Sequence, residues 1–278
     1  MNVRAIKSLK RKLAAGQPTY GMWITLESPA VSMVGAALGL DWIVIEGEHG
    51  HLGMKELFEH LRSTVRSDTV VLTRISELSR ALIKKVLDVG VDGVIIPFIE
   101  SADELQRAVR FAQYPPMGIR GLGGESATCW GQCVAEHIIE AREHTLVIPL
   151  IETVTAGKNI EQLCAVEGVD IFFLGPSDYS STAGYTGEWE GPGIAAELIE
   201  IKDTVRRHGK HCGIIGRGTE DLLRRRDAGF RMLCFGADVG ILIKGLKESL
   251  QAVGRDSAFA TDLVPREPNL KQIQEEVE

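Results

Sequence analysis

Residues 70–97 read VVLTRISELSRALIKKVLDVGVDGVIIP and contain a repeat that is typical of parallel α/β folds. Segments 70–74 and 93–97 are short apolar runs, each of a length typical of one buried β-strand. Between them, residues 78–89 place apolar side chains at the spacing of an amphipathic helix, and Gly90 follows where such a helix would end. The pattern predicts a strand, a helix and a second strand parallel to the first.

The same alternation extends along most of the chain. Short apolar runs are each followed by a longer helical pattern. Near-continuous apolar strands are typical of a parallel sheet buried on both faces, and eight strand–helix units are the number that closes into a barrel. The predicted strands are 20–25, 42–46, 70–74, 93–97, 146–151, 171–175, 212–216 and 232–236, and the predicted helices are 29–39, 53–66, 78–89, 102–113, 155–166, 193–208, 219–228 and 239–252.

We therefore predict the α/β class and a (β/α)8 TIM barrel with an N-terminal helix and an extended C-terminal tail. The chain is expected to form a single domain over residues 1–278, with the barrel at about 18–253 and a polar tail at 254–278. The alternative is a doubly wound open sheet, which needs a glycine-rich phosphate turn after its first strand. Residues 23–28, WITLES, do not form such a turn.

Charge and composition restrict the partner and the compartment. Acidic residues outnumber basic ones 38 to 31, which argues against nucleic acid or an anionic membrane and favours a small molecule. No stretch approaches the ~18 consecutive apolar residues of a membrane span, and the N-terminus lacks the apolar segment of a secretory signal. The five scattered cysteines are typical of reduced thiols. We expect a cytoplasmic protein.

Polar residues follow four of the predicted strands at their carboxyl ends. They are the segment 46–49 (Glu-Gly-Glu-His), Arg74, Glu152 and the segment 175–178 (Gly-Pro-Ser-Asp). In a barrel these strand ends meet on one face, where catalytic groups lie. Two long glycine-rich connections, 114–137 and 175–193, are candidate walls of the same site.

Glu152 and Asp178 are candidate metal ligands. They follow neighbouring strands, and two carboxylates without His or Cys favour Mg²⁺ or Mn²⁺ while leaving coordination positions for water and substrate. The alternatives are a solvated carboxylate at either position and, for Asp178, a side chain that only caps a turn.

Three further residues carry charge or a titratable group to this face. The guanidinium of Arg74 suits a substrate carboxylate or oxyanion, or it neutralises nearby acids. His49, three residues after Glu46, is a candidate proton-transfer group oriented by that carboxylate, or a surface residue. Arg217, after the seventh strand, is a candidate clamp for an acidic substrate tail, or is solvent-exposed.

This set of groups favours carbon–carbon bond chemistry. A metal chelated by a 2-oxo acid, with Arg74 beside the oxo group, would stabilise an enolate. No lysine ends a predicted strand where it could form a Schiff base, so a metal-dependent route is preferred.

The sequence resembles the HpcH/HpaI family of class II, metal-dependent 2-oxo acid aldolases, from about residue 21 to 250. The most specific motifs are GEH at 47–49, PPMGIRG at 115–121 and GPSD at 175–178. The other motifs are GMW at 21–23, DWIVIEGEH at 41–49, Arg74, IET at 151–153, VEGVDIFFLGPSD at 166–178 and CFGAD at 234–238.

The resemblance implies roles for individual residues. Glu152 and Asp178 would bind the metal, Mg²⁺ or Mn²⁺ with Co²⁺ as a further candidate, and Arg74 would contact the pyruvate-like part of the substrate. His49 would belong to an acid–base pair with Glu46 as the carboxylate partner, and in cleavage the two would take the proton from the C4 hydroxyl. The substrate pocket would include Trp23, Gly175 and the backbone N–H groups of Ser177 and Asp178.

The resemblance also implies an assembly. Members of this family form hexamers, built as dimers of trimers with a swapped C-terminal helix. The resemblance therefore implies that Asp88 approaches a neighbouring subunit's site. The sequence departs from the family pattern at two positions. Glu46 stands where the family usually has Asp, and Leu150 stands where it often has Gln.

The predicted function is a metal-dependent aldolase or carbon–carbon lyase. It would cleave or form a 4-hydroxy-2-oxo acid through a pyruvate enolate, with a 2-oxo acid and an aldehyde as its small-molecule partners. The changes at Glu46 and Leu150 keep open an oxaloacetate decarboxylase or an enolate-using enzyme similar to macrophomate synthase. A binding barrel that senses a 2-oxo acid without turnover is the alternative outside the enzymes.

Overall fold

The computed structural model describes residues 1–258 and confirms the predicted barrel. Eight parallel strands close in the order β1 to β8, each paired with the next and β8 paired with β1. The strands are β1 Thr19–Ile24, β2 Trp42–Glu46, β3 Val70–Arg74, β4 Gly93–Ile96, β5 Leu146–Ile151, β6 Ile171–Leu174, β7 His211–Ile215 and β8 Met232–Ala237. The α-helices are α1 Val3–Ala14, α2 Pro29–Ala37, α3 Met54–Thr64, α4 Arg80–Val89, α5 Ala102–Ala112, α6 Val134–His144, α7 Val154–Lys158, α8 Ile160–Cys164, α9 Pro176–Thr182, α10 Ile194–Arg207, α11 Thr219–Asp227 and α12 Asp238–Ala252.

Helix α1 closes the amino end of the barrel. Its buried side chains include Ile6 and Leu9, and they share one core cluster with Trp42, Val70 and Met232, the first residues of β2, β3 and β8. Because these strand starts lie at the amino end, the helix fills that end with apolar side chains. The open cavity of the barrel therefore lies at the carboxyl ends of the strands.

Gly21 in β1 allows a large side chain to fill the barrel interior. Gly21 pairs with Trp42 of β2, and a Cβ atom at this glycine would lie 2.2 Å from the Trp42 carbonyl oxygen and 2.3 Å from its indole ring. Only glycine leaves room for this approach. Trp42 is fully buried as a result.

A second core lies between the strands and the surrounding helices, and α4 shows how the sequence forms it. Its buried residues Ile83, Val86 and Leu87 recur at helical spacing. The Ser79 hydroxyl accepts a hydrogen bond from the Leu82 N–H at the start of the helix, and Gly90 ends it with a φ of 113°. The helix predicted at 78–89 is confirmed within two residues of its start.

The helical pattern differs from the prediction in three places. The single helix predicted at 155–166 is two short helices, α7 and α8, which meet at Asn159. The Asn159 side chain donates to the Glu100 carbonyl oxygen, and this bond fixes the break. Helix α6 begins within the first long connection and continues to His144, and α9 lies within the second. Pro176 begins α9 at a position that proline favours.

The chain divides after Val239 into two units. The first holds all eight strands and helices α1 to α11, whereas α12 continues into the second and ends at Ala252. Most of the predicted tail, from residue 259 onwards, lies outside the described residues, and a single domain over 1–278 stays a prediction. In the described part of the chain, no helix is both long enough and apolar enough to span a bilayer.

Candidate active site

An ion pair joins the ends of β2 and β3. Glu46 and Arg74 are partners in the strand register, so their side chains leave the barrel side by side. The Arg74 Nε donates to Glu46 Oε2 at 2.8 Å, Nη2 lies 2.6 Å from the same oxygen, and Nη1 lies 2.9 Å from Oε2 of Glu48. The three side chains are largely buried, so the guanidinium is held in one position at the mouth of the barrel.

Glu46 makes further hydrogen bonds that fix the segment after β2. Its Oε1 accepts from the main-chain N–H groups of Glu48 at 2.7 Å and His49 at 2.8 Å, and its Oε2 accepts from the Trp23 indole at 2.8 Å. The carboxylate thus bonds the main chain of His49, whereas the sequence suggested that it orients the imidazole. These bonds position Arg74 and the segment 46–49, and the catalytic role predicted for Glu46 stays a prediction.

Glu152 directly follows β5 and is only 2% exposed. Its Oε1 accepts the Phe98 N–H at 2.9 Å. Burial raises the pKa of Glu152 to about 8, and the nearby carboxylates of Glu48 and Asp178 act in the same direction. Burial also raises the pKa of Glu48. Ionising these carboxyl groups is therefore costly unless a positive charge lies nearby.

Asp178 lies in the first turn of α9, which begins immediately after β6. Gly175 precedes this helix, and a Cβ atom there would lie 3.1 Å from Cβ and 3.3 Å from Oε2 of Glu152. The glycine lets the start of α9 approach Glu152 closely. Glu152 and Asp178 line one cavity, and their oxygens are the donors that a hard divalent cation prefers. No group of three or more His, Cys, Asp or Glu residues in metal-binding proximity occurs within residues 1–258.

The cavity at the barrel mouth has a volume of about 520 Å³. It brings together the predicted site residues of β1, the segment 46–49, β3, β5 and the start of α9. The predicted residues that line it are Trp23, Glu46, His49, Arg74, Glu152, Gly175, Ser177 and Asp178.

Two predicted residues lie elsewhere. Asp88 is on α4, where its Oδ1 lies 2.8 Å from Nη2 of Arg120, and it borders a different cavity with Trp130. Arg217 is exposed outside the cavity lining, and its main-chain N–H donates to Asp221 at 2.8 Å. The role of Asp88 in a neighbouring subunit's site stays a prediction.

Sequence reasoning assigned no role to two residues at this site. Glu48 is an ion-pair partner of Arg74, and Trp189 lines the cavity from the long connection after α9. Two sequence features could have identified them: Glu48 lies between Glu46 and His49, and Trp189 lies in an unusually long connection.

Fold and site together define a class: a (β/α)8 barrel whose mouth holds an acidic cavity with a fixed guanidinium. The family model for HpcH/HpaI aldolase/citrate lyase matches residues 19–245. The chain belongs to this family.

Relatives and solved structures agree with this assignment. The chain is 32% identical over 247 residues to a 4-hydroxy-2-oxovalerate aldolase of Novosphingobium aromaticivorans, covering 88% of this chain and 94% of that protein. It is 33% identical over 260 residues to a 4-hydroxy-2-oxo-heptane-1,7-dioate aldolase of Escherichia coli, covering 93% and 98%. A crystal structure of a family member from Burkholderia cenocepacia superposes with a TM-score of 0.84 at 28% identity, covering 88% of this chain and 98% of that one. The predicted family and the predicted lyase class are confirmed.

Proposed function

We propose that the chain is a divalent-metal-dependent aldolase that cleaves or forms the C3–C4 bond of a 4-hydroxy-2-oxo acid by way of a pyruvate enolate. The observation that carries this proposal is the convergence of Arg74, Glu152 and Asp178 on one cavity at the barrel mouth. The names of the aldolase relatives support the reaction class.

Glu152 and Asp178 are the residues that would hold the cation. Oxygen donors suit Mg²⁺ or Mn²⁺, with Co²⁺ as a further candidate. The site fits a cation because burial alone makes Glu152 costly to ionise, and a nearby positive charge offsets that cost. When bound, a divalent cation supplies Lewis-acid stabilisation of negative charge at the 2-oxo group.

Arg74 stabilises the enolate oxygen, because its guanidinium is held at the cavity by Glu46 and Glu48 before substrate arrives. The Trp23 ring lies beside it, with its centroid 5.8 Å from the guanidinium carbon. The backbone N–H groups of Ser177 and Asp178 bind the substrate carboxylate, since N–H groups in a first helical turn have no partner within the helix.

His49 is the proposed proton-transfer group, because it lies in the cavity on a segment fixed by Glu46. In cleavage it takes the proton of the C4 hydroxyl. The C4 carbon becomes the aldehyde carbonyl as the C3–C4 bond breaks, and the bonding electron pair passes to the enolate. Protonation at C3 then gives pyruvate.

A second candidate, oxaloacetate decarboxylation, is favoured by one observation. Glu46 bonds the main chain of His49, so the imidazole does not have the carboxylate partner that the sequence suggested. Decarboxylation forms the same enolate without removing a hydroxyl proton and therefore does not need His49.

A coupled assay tests the proposal. We expect the purified chain with Mn²⁺ to release pyruvate from 4-hydroxy-2-oxovalerate, followed through lactate dehydrogenase, and to lose this activity with chelator. His49→Ala should lose aldol cleavage and keep most oxaloacetate decarboxylation. Equal loss of both activities would contradict the role of His49, and metal-dependent turnover of either substrate would exclude a non-catalytic sensor.

We also propose a homo-oligomer, a hexamer built from trimers, in which Asp88 approaches a neighbour's site. The proposal rests on the resemblance to the family, and the exposed apolar residues Ile241, Leu242 and Leu246 of α12 are compatible with burial in an assembly. A cytoplasmic location stays a prediction from the sequence.

A further inference from the structure

The cavity at the barrel mouth has two chemically different sides. The charged residues Glu46, Arg74, Glu152 and Asp178 lie at the carboxyl ends of β2, β3, β5 and β6. The other side is formed by β1, β7, β8, the segments after β1 and β8, and the connection before α10; its side chains are mainly apolar, and Thr25 is polar. We call the apolar group the apolar wall; it comprises Trp23, Leu26, Trp189, Ile215, Ala237 and Val239.

The order of the strands makes the apolar wall a continuous surface. Because β7, β8 and β1 are neighbours in the closed barrel, their residues in the apolar wall form one arc. The residue after Trp189 anchors its connection: Glu190 is ion-paired with the buried Arg225, which also bonds Asp221 at 3.1 Å. These contacts fix the connection that carries Trp189.

The proposed chemistry assigns one part of the substrate to each side. The 2-oxo acid part needs Arg74 and the carboxylate pair and so occupies the charged side. C4 and the carbon chain beyond it become the aldehyde. This chain then extends over the apolar wall, where burial of apolar groups stabilises the complex.

A carboxylate group on the aldehyde would bind unfavourably at the apolar wall. Arg74 lies on the charged side, where the 2-oxo acid part binds, and His49 is assigned to proton transfer. His51 also lines the cavity and lies 3.2 Å from Glu27. In residues 1–258, no lysine and no further arginine lines this cavity. A carboxylate buried against the wall would lose hydration without gaining a cationic partner.

We infer that the aldehyde partner of this enzyme is uncharged and apolar. This inference rests on the proposed function and concerns its substrate class. It separates the chain from the E. coli relative, whose named 1,7-dioate substrate yields an aldehyde with its own carboxylate on retro-aldol cleavage.

Two aldehydes of similar size and reactivity test the inference, pentanal and 4-oxobutanoate. With the full chain, Mn²⁺ and saturating pyruvate, kcat/KM for aldol addition should be at least ~30-fold higher for pentanal. A value for 4-oxobutanoate equal to or above that for pentanal would overturn the inference. Deuterium exchange at the pyruvate methyl group is measured in parallel. If deuterium exchange occurs but 4-oxobutanoate is preferred, only the inference about the aldehyde is refuted. If no exchange occurs, the proposed function is refuted.

A charge-introducing variant tests the position of the wall. Val239→Lys adds a cation to it and should shift the ratio of the two kcat/KM values at least ~10-fold towards 4-oxobutanoate. Ile199→Lys is the matched control, since Ile199 lies on α10 outside the cavity and is 38% exposed, compared with 37% for Val239. The control should leave the ratio unchanged. If Val239→Lys does not fold, Leu26→Lys should give the same shift, and an unchanged ratio in a folded wall variant would contradict the assignment.

Discussion

The two ends of the barrel use acidic side chains differently. At the closed amino end, Asp92 accepts hydrogen bonds from the main-chain N–H groups of Asn2 at 2.5 Å and Val71 at 2.9 Å. Asp41 pairs there with Lys12 at 2.5 Å and accepts the Tyr20 N–H at 2.8 Å. These carboxylates join α1 to the strands, so they contribute to the fold.

At the open carboxyl end, four acidic residues surround one guanidinium. Glu46 and Glu48 hold Arg74, while Glu152 and Asp178 lie beside it in the cavity. Burial raises the pKa of Glu152 to about 8, with Glu48 and Asp178 acting in the same direction, so a bound cation would favour the ionised form of this carboxyl group. Acids at the closed end therefore stabilise the fold, whereas those at the open end line a cavity in which a ligand can bind.

The largest effect is expected from a change at the open end. Asp178→Asn removes one of the two proposed cation ligands and should lower metal-dependent pyruvate exchange by ~1000-fold or more. Mn²⁺ titration by calorimetry should show at least ~100-fold weaker binding, with an unchanged free energy of unfolding in chelator. Wild-type metal affinity in this variant would contradict the assignment of Asp178.

A change at the closed end should lower stability and leave activity almost unchanged. Leu9→Ala removes a buried side chain of α1 and should lower the free energy of unfolding by about 3 kcal/mol, measured by urea denaturation. Exchange activity of the folded protein should change less than ~2-fold, because α1 lies at the other end of the barrel from the cavity. A large loss of activity would show that the two ends are not independent.

His137 makes the stability of the protein depend on pH. It lies on α6, which packs beside α1, and its ring contacts Tyr114. Burial, followed by the charge of Arg120 and the N-terminus, lowers the pKa of His137 to about 4, and Asp88 opposes the shift. Because the neutral form is favoured in the folded state, stability is complete above pH 6.5 and falls as the pH drops towards 4.

Between pH 7 and pH 5, this histidine should contribute a loss of about 2 kcal/mol in the free energy of unfolding. His137→Phe removes the titrating group and should reduce the loss by that amount in urea denaturation at the two pH values. An identical pH dependence in wild type and variant would rule out His137 as the cause.

The smallest effect is expected from Glu46→Asp. The shorter side chain cannot reach Arg74, Trp23 and the two main-chain N–H groups together, so exchange activity should fall ~10-fold. Since Glu46 acts through Arg74 and the segment 46–49, the pH profile of the remaining activity should be unchanged. A shifted profile, or an increase in activity, would indicate that Glu46 itself transfers the proton.

Much of the open end could be predicted because parallel strands bring their carboxyl ends together. Glu46, Arg74, Glu152 and Asp178 each follow a recognisable apolar run, so the topology alone predicted their convergence. The bonding within the site could not be predicted in this way. Which atoms Glu46 contacts depends on the path of the main chain through residues 47–49, and strand periodicity carries no information about that path.

The apolar wall was not predicted for a related reason. Leu26, Trp189 and Val239 lie outside the strands, and the packing of connections depends on contacts far apart in sequence, such as the pair between Glu190 and Arg225. The sequence instead suggested Arg217 as a clamp for an acidic tail, whereas the structure leaves that side chain exposed outside the cavity.

We propose that the open end forms a pyruvate enolate with the help of a divalent cation. Proton–deuterium exchange at the pyruvate methyl group, followed by NMR in D₂O, tests it without any choice of aldehyde. We predict exchange with Mn²⁺ or Mg²⁺ that is abolished by chelator and by Asp178→Asn and is retained in Leu9→Ala. No exchange in a protein with metal demonstrably bound would contradict the account.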